Sequence, residues 1–245
     1  MIRISGLGKR FGELTLFDDL SVDFSKGAVS VILGPSGCGK TTLLHMLAGI
    51  VAPDSGVIET PGGRRISYLF QEPRLIPWRT VRQNLEFVLA SAFSPAECRS
   101  RALEALERVG IGEFADSYPA ELSGGMRQRA VIARAFAYPG EILLMDEPLQ
   151  ALDLARKLDL VGWFLDLWAE SRPTTIFVTH DIQEALVLGD TITIFSEPPA
   201  RVVGSYLNPL APGERRLEDP RLMELEAELY RVLLIKGEGS KGDTP

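Results

Sequence analysis

Residues 28–50 read Ala28-Val-Ser-Val-Ile-Leu33-Gly34-Pro35-Ser36-Gly37-Cys38-Gly39-Lys40-Thr41-Thr42-Leu-Leu-His45-Met-Leu-Ala-Gly-Ile50. A short, mostly apolar strand over Ala28–Leu33 runs into a glycine-rich turn, and Thr41–Ile50 continues as a helix. Gly34 to Thr41 has the spacing G-x-x-x-x-G-K-[ST]. Glycines let the backbone wrap closely, so that amide N–H groups point at phosphate oxygens. Lys40 brings charge to the β- and γ-phosphates, and the Thr41 hydroxyl is placed to ligate Mg²⁺. The following helix adds its positive end. A glycine/proline turn can match this spacing by chance, but the strand before it and the helix after it favour a phosphate loop.

Outward from this loop the pattern repeats. Apolar strands are expected at Ile66–Phe70, Ile142–Met145, Thr175–Val178 and Thr191–Phe195. Helical periodicity lies between them, near Val81–Ala92, Ala96–Val109, Gly125–Tyr138 and Leu154–Ala169. Strands alternating with helices imply an α/β fold built on a largely parallel sheet. Before the loop, Met1–Lys26 alternates apolar and polar residues and reads as short antiparallel strands. The segment from about 73 to 122 has no convincing strand and reads as a helical insertion. Residues 1–207 thus form the main domain. Residues 208–245 form a Pro/Gly/charge-rich connection, an amphipathic helix with Leu222, Leu225, Leu229 and Leu233 on one stripe, and a frayed tail.

Composition narrows the function classes. Lys plus Arg number 26 against 33 Asp plus Glu, a net charge of −7, which argues against a nucleic-acid partner. The two cysteines, Cys38 and Cys98, lie far from the two histidines, His45 and His180, and make neither a disulfide framework nor a zinc set. The N-terminus has no apolar signal core, and no apolar run approaches the roughly 20 residues that cross a bilayer.

Two further stretches carry chemistry. Glu141-Ile-Leu-Leu-Met145-Asp146-Glu147 is a strand ending in two carboxylates, where open α/β sheets bind ligands. Asp146 is placed to hold Mg²⁺, and Glu147 to polarise an attacking water. Alone, such an acidic strand end is weak evidence; paired with the phosphate loop it is strong. Leu122-Ser123-Gly124-Gly125-Met-Arg-Gln128 opens a helix with a serine and two glycines, either an ordinary cap or a second anion site. If this second start meets a nucleotide held by another copy, the nucleotide joins a symmetric dimer.

Together these residues resemble the nucleotide-binding subunit of the ABC transporter superfamily, a P-loop NTPase (RecA-like) fold, from Ile2 to about Tyr206. The Walker A loop is Gly34–Thr41, with Thr42 beside it. The Q-loop residue is Gln71, and the signature is Leu122–Gln128. Walker B ends at Asp146 and Glu147, the D-loop is Ala151-Leu-Asp153, and the switch histidine is His180. The resemblance implies ATP and Mg²⁺ as ligands and Phe11 stacking on adenine. It implies Gln71 at Mg²⁺ or the lytic water, His180 at the γ-phosphate, and Ser123 with Gly124 and Gly125 capping ATP in trans. Asp153 would couple the two sites. His45 reads as an ordinary helix residue.

Phe70–Leu85 is similar to the Q-loop region of importer ATPases of the nitrate, sulfonate and taurine group, with relatives for thiamine-precursor pyrimidines. That implies transmembrane permease subunits, an indirect solute-binding protein, and a place on the cytoplasmic face of the cell membrane. Ile76, Pro77 and Trp78 either receive a membrane subunit's coupling helix or anchor a small core of the insertion. Gln150 departs from the small residue usual before the D-loop, and the stretch after Asp153 also strays from the family pattern. A soluble ABC ATPase acting as an assembly factor is the alternative reading. Because Cys38 lies inside the loop, its alkylation is expected to block nucleotide binding, and ATP is expected to protect it.

Overall fold

A computed structural model describes residues 1–60, 65–150 and 154–237. In chain order the elements are β1 (Ile2–Phe11), β2 (Leu14–Phe24), β3 (Val29–Leu33), α1 (Lys40–Leu47), β4 (Ser55–Glu59), β5 (Ile66–Leu69), α2 (Val81–Leu89), α3 (Pro95–Arg108), α4 (Gly124–Ala137), β6 (Ile142–Asp146), α5 (Leu154–Ser171), β7 (Thr174–Thr179), α6 (Ile182–Leu188), β8 (Thr191–Phe195), β9 (Val202–Leu207) and α7 (Pro220–Gly237). Short 3₁₀ turns lie at Gly112–Phe114 and Pro119–Glu121. The chain divides into two compact units, one of Met1–Gly63 with Thr174–Pro245 and one of Arg64–Pro173.

In the first unit β3 lies between β7 and β8, parallel to both. Every residue of β3 and β7 is buried, which is why both read as mostly apolar or β-branched runs, Ser30 being the exception. The antiparallel β9 closes this sheet beside β8. Its residues are half-buried or exposed throughout, and Gly204 interrupts it, so it carries no clean period-2 signal. A separate antiparallel sheet runs in the order β2-β1-β4. Its ladder pairs Ile2 with Phe24, Ile4 with Val22 and Leu7 with Leu20, and Ile2, Ile4, Leu7, Leu20 and Phe24 are buried on it. Of the expected stripe on α7, Leu222, Leu225 and Leu229 are buried and Leu233 is half-buried. The segment 238–245, read as a tail, lies outside the described residues.

The connection after β9 is tied down rather than loose. Asn208 Nδ2 donates to the carbonyls of Leu186 (2.7 Å) and Gly189 (2.9 Å). The guanidinium of the buried Arg215 donates to the carbonyls of Leu188 (2.8 Å) and Leu210 (3.1 Å) and to Asp190 Oδ1 (2.5 Å). Asp190 Oδ2 accepts from Val29 N at 2.8 Å. The orphan carbonyls at the end of α6 are thereby capped from the C-terminal segment, and the same carboxylate fixes the start of β3.

In the second unit β5 and β6 pair in parallel, and α2, α3 and α4 pack together with α5 beside α4. Capping boxes, Thr80 with Gln83 and Ser94 with Glu97, start α2 and α3. Asn84 is 1% exposed and holds the preceding loop from within. Its Oδ1 accepts from Ile76 N at 2.6 Å, and its Nδ2 donates to the carbonyls of Ile76, Arg79 and Thr80 at 3.0–3.2 Å. The loop so held presents Trp78 at 76% exposure. Of the two readings of this tryptophan, the core anchor is therefore excluded.

Candidate functional site

The first unit carries the phosphate loop. Buried β3 ends at Gly34, where a Cβ would lie 3.0 Å from both Cys38 Sγ and the Phe195 carbonyl. Gly37 and Gly39 have φ of +82° and +101°, a region where side chains are strained and glycine is not. A Cβ on Gly39 would also stand 2.6 Å from Phe17 Cζ and 2.8 Å from Leu16 Cγ. Gly39 caps α1 without any side-chain hydrogen bond, and a helix start of this kind suits an anion. Lys40 is 5% exposed, and its ammonium donates to the carbonyls of Gly34 (2.7 Å) and Pro35 (3.0 Å). The loop thus holds a positive charge over its own backbone. Thr41 is exposed and Thr42 half-buried. Cys38 is 0% exposed. A reagent must therefore open the loop before it reaches the thiol.

His180 belongs to the same unit. It is exposed just past the buried β7, and its turn is fixed on both sides. Thr179 Oγ1 donates to the buried Glu184 at 2.6 Å and accepts from Asp181 N at 3.0 Å. Asp181 Oδ1 accepts from Gln183 N and Glu184 N and caps α6. His180, Gly34 and Pro35 line one cavity of about 280 Å³, so the structure brings the histidine to the phosphate loop. Phe11, 50% exposed, ends β1, with Lys9 Nζ 5.2 Å from its ring centroid. Lys9 is held by the Ala52 carbonyl (2.9 Å) and Asp54 (2.8 Å). Its hydrogen bond, with one from Arg10 N, holds the Asp54 carboxyl below its usual pKa.

The second unit carries the remaining residues. Asp146, 4% exposed, ends β6. The Tyr68 hydroxyl belongs to its surroundings: burial and then the Asp146 charge push that phenol's pKa up. Glu147 follows with φ +44°, a left-handed backbone that costs a non-glycine residue about 1–3 kcal/mol and marks functional turns. Gln71 is exposed, and its amide donates to the side chain of Gln150. Ser123 is the N-cap of α4 and accepts from Met126 N at 3.3 Å. Ser123 and Gly124 are exposed, so this helix start faces outward, while Gln128 is buried and donates to the Pro148 carbonyl. Asp153 and the rest of Ala151-Leu-Asp153 lie outside the described residues. Glu184, Asp190, Arg215 and Tyr68 support the site but were missed. Each acts through a partner distant in sequence or on a neighbouring turn, so no short motif marks it.

Residues 17–150 match the family model described as "ABC transporter". The chain belongs to the ABC transporter family. Its curated ABC relatives include an aliphatic sulfonates import ATP-binding protein of Burkholderia lata, 41% identical over 80% of this chain and 61% of that protein. The corresponding protein of Burkholderia cenocepacia is 40% identical over 98% of this chain and 74% of its own length. A putative ATP-binding protein of Brucella abortus is 40% identical over 82% and 80% respectively. The match thus spans about 61% of the length of the Burkholderia lata relative. Among solved structures, the ATP-binding cassette MJ0796, dimeric in a post-hydrolysis state with ADP and Pi, superposes with a TM-score of 0.75 at 28% identity. It covers 86% of this chain and all of that one.

Proposed function

We propose that this ABC family member is the ATP-binding and ATP-hydrolysing subunit of an importer, energising uptake of a small solute. The names of its relatives favour an aliphatic sulfonate; nitrate, taurine and a thiamine-precursor pyrimidine belong to the same resemblance. The observation that carries this reading is that one chain builds two glycine-led helix starts of different kinds. One, at Lys40, has a buried lysine inside its loop. The other, at Ser123, faces outward.

Two copies, or one copy and a homologous ATPase subunit, pack head to tail with ATP at the seam, as the dimeric MJ0796 cassette supports. Lys40 and the amides of Gly34–Thr42 bind the phosphates, and Phe11 offers its half-exposed ring to the adenine. Ser123, Gly124 and Gly125 of the second copy donate to the γ-phosphate. Glu147 accepts the proton of the attacking water, while Gln71 and His180 orient that water and the terminal phosphate. Asp153 couples the two sites across the seam. Phosphoryl transfer of this kind depends on positioning and charge more than on covalent chemistry.

The donor set suits Mg²⁺. Among the described residues no cluster of three or more His, Cys, Asp or Glu could hold a metal, and Mg²⁺ is commonly held by one or two protein oxygens together with phosphates and water. Thr41, Asp146 and Gln71 would supply those oxygens, and Mg²⁺ would neutralise charge on the β- and γ-phosphates.

Among the described residues no helix is long and apolar enough to cross a membrane. Attachment to the cytoplasmic face of the cell membrane therefore runs through permease subunits, which dock on the insertion of about 73–122 at the exposed Trp78. A solute-binding protein is an indirect partner. The test is Glu147→Gln. ATP binding should persist, turnover should fall by about 10²–10⁴, the range lost with a general base, and gel filtration should show an ATP-dependent dimer. Undiminished turnover would remove Glu147 from the mechanism.

A further inference from the structure

Within the second unit, Arg134 of α4 presents a charge that the ATP site does not use. One guanidinium N–H donates to the Arg74 carbonyl at 2.6 Å. Among the described residues it has no carboxylate partner, and burial alone holds its pKa below the ordinary arginine value. A guanidinium partly removed from water without a counter-charge is costly, and most of its five N–H donors remain for a ligand.

Arg134 lines a cavity of about 320 Å³ whose walls also include Tyr138 of α4, Ser67 of β5, and Phe87, Val88 and Ser91 of α2. No acidic side chain lines it. Ser67 contributes to the wall, but its hydroxyl is buried away from solvent beside Gly140. Ser91 uses its hydroxyl only on the Val88 carbonyl at 3.1 Å, a bond that a better acceptor can replace. One wall is therefore cationic, with the Ser91 hydroxyl as its one replaceable donor. The other, with Phe87 55% exposed, is apolar.

We propose that this cavity binds a small aliphatic oxyanion, its carboxylate or sulfonate head on Arg134 and its short chain against Phe87 and Val88. Arginine's planar fork matches such a head bidentately, and the volume is at the lower end of small-molecule sites. Because Arg134 also holds the Arg74 carbonyl, an occupant bears on the segment that follows Gln71.

The test is calorimetric titration of the full chain with butanesulfonate and, separately, butyrate, using butylammonium and sodium sulfate as controls. At least one organic anion should bind, more tightly than sulfate, with no heat from butylammonium. Affinity should fall at least tenfold in Arg134→Gln. That variant also breaks the bond to Arg74, so Val88→Phe provides a second reading: it fills the cavity and leaves the guanidinium in place. Val88→Phe should weaken the anion at least tenfold while ATP affinity stays within twofold of the parent. Absence of binding by both organic anions, binding unchanged in Val88→Phe, or equal binding of sulfate would overturn the proposal. ATP titrated in parallel keeps such a failure separate from the ATPase reading.

Discussion

Gly39→Ala tests the claim that the phosphate loop is shaped by its own glycines against the sheet of β1 and β2. Two costs add. An alanine at φ +101° takes on left-handed strain of about 1–2 kcal/mol. Its Cβ would also press to 2.6 Å from Phe17 Cζ and 2.8 Å from Leu16 Cγ. Both neighbours are buried, at 1% and 4% exposure, so relief requires repacking at about 1–3 kcal/mol. The sum is about 2–5 kcal/mol. Gly37 is the control: its φ is +82° and nothing lies within 4 Å of a built Cβ, so Gly37→Ala carries only the backbone cost of about 1–2 kcal/mol. At about 2–4 °C per kcal/mol for a chain of this size, nucleotide-free Gly39→Ala should melt roughly 4–20 °C below the parent. Gly37→Ala should melt roughly 2–8 °C below it. Thermal melts followed by circular dichroism, with urea titrations for ΔΔG, decide between them. A Gly39→Ala melt within 2 °C of the parent, or a larger loss in Gly37→Ala, would refute the reasoning.

Other perturbations separate parts of the account. Alkylation of Cys38, followed by mass spectrometry, should be at least about a hundredfold slower in the native protein than in urea, since a thiol reacts only as exposed thiolate; equal rates would contradict its burial. Arg215→Met should destabilise by about 3–5 kcal/mol in urea, because it leaves Asp190 without its ion-pair partner. A loss below 1 kcal/mol would show that the C-terminal connection is no clamp. Gln150→Ala releases the Gln71 amide and should raise turnover roughly two- to fivefold at constant KM, the worth of one neutral hydrogen bond of about 0.5–1 kcal/mol. Unchanged turnover would make that contact incidental. Trp78→Ala should shift stability by no more than about 0.5 kcal/mol, as an exposed substitution does, yet abolish co-purification with permease subunits.

Among the strands, the ones most sharply legible in the sequence are those buried on both faces. β3, β6, β7 and β8 announced themselves as apolar runs within a residue or two of their ends, because parallel strands leave no polar side to confuse the pattern. β4 and β9 did not. Ser55–Glu59 and Val202–Leu207 are half-buried or exposed along their lengths, so their pairing partners, not their composition, make them strands. The helix after the phosphate loop stopped at Leu47 rather than Ile50 because Gly49 takes φ +72°. At the site, the glycines, Lys40 and the Ser123 cap were legible because backbone amides need those residue types at fixed spacing. The contacts that hold the start of β3 were not, since Arg215, Asp190 and Val29 come together only through the fold; those that hold the His180 turn, among Thr179, Asp181 and Glu184, are local but match no short motif.

The central claim is that ATP gripped by Lys40 of one copy is completed by Ser123 of another. A structure of Glu147→Gln with MgATP tests it most directly. The account expects a symmetric dimer in which the partner's Ser123 hydroxyl and α4 amides lie within hydrogen-bond distance of the γ-phosphate. A closed, ATP-loaded assembly in which that serine faces away from every nucleotide would contradict it.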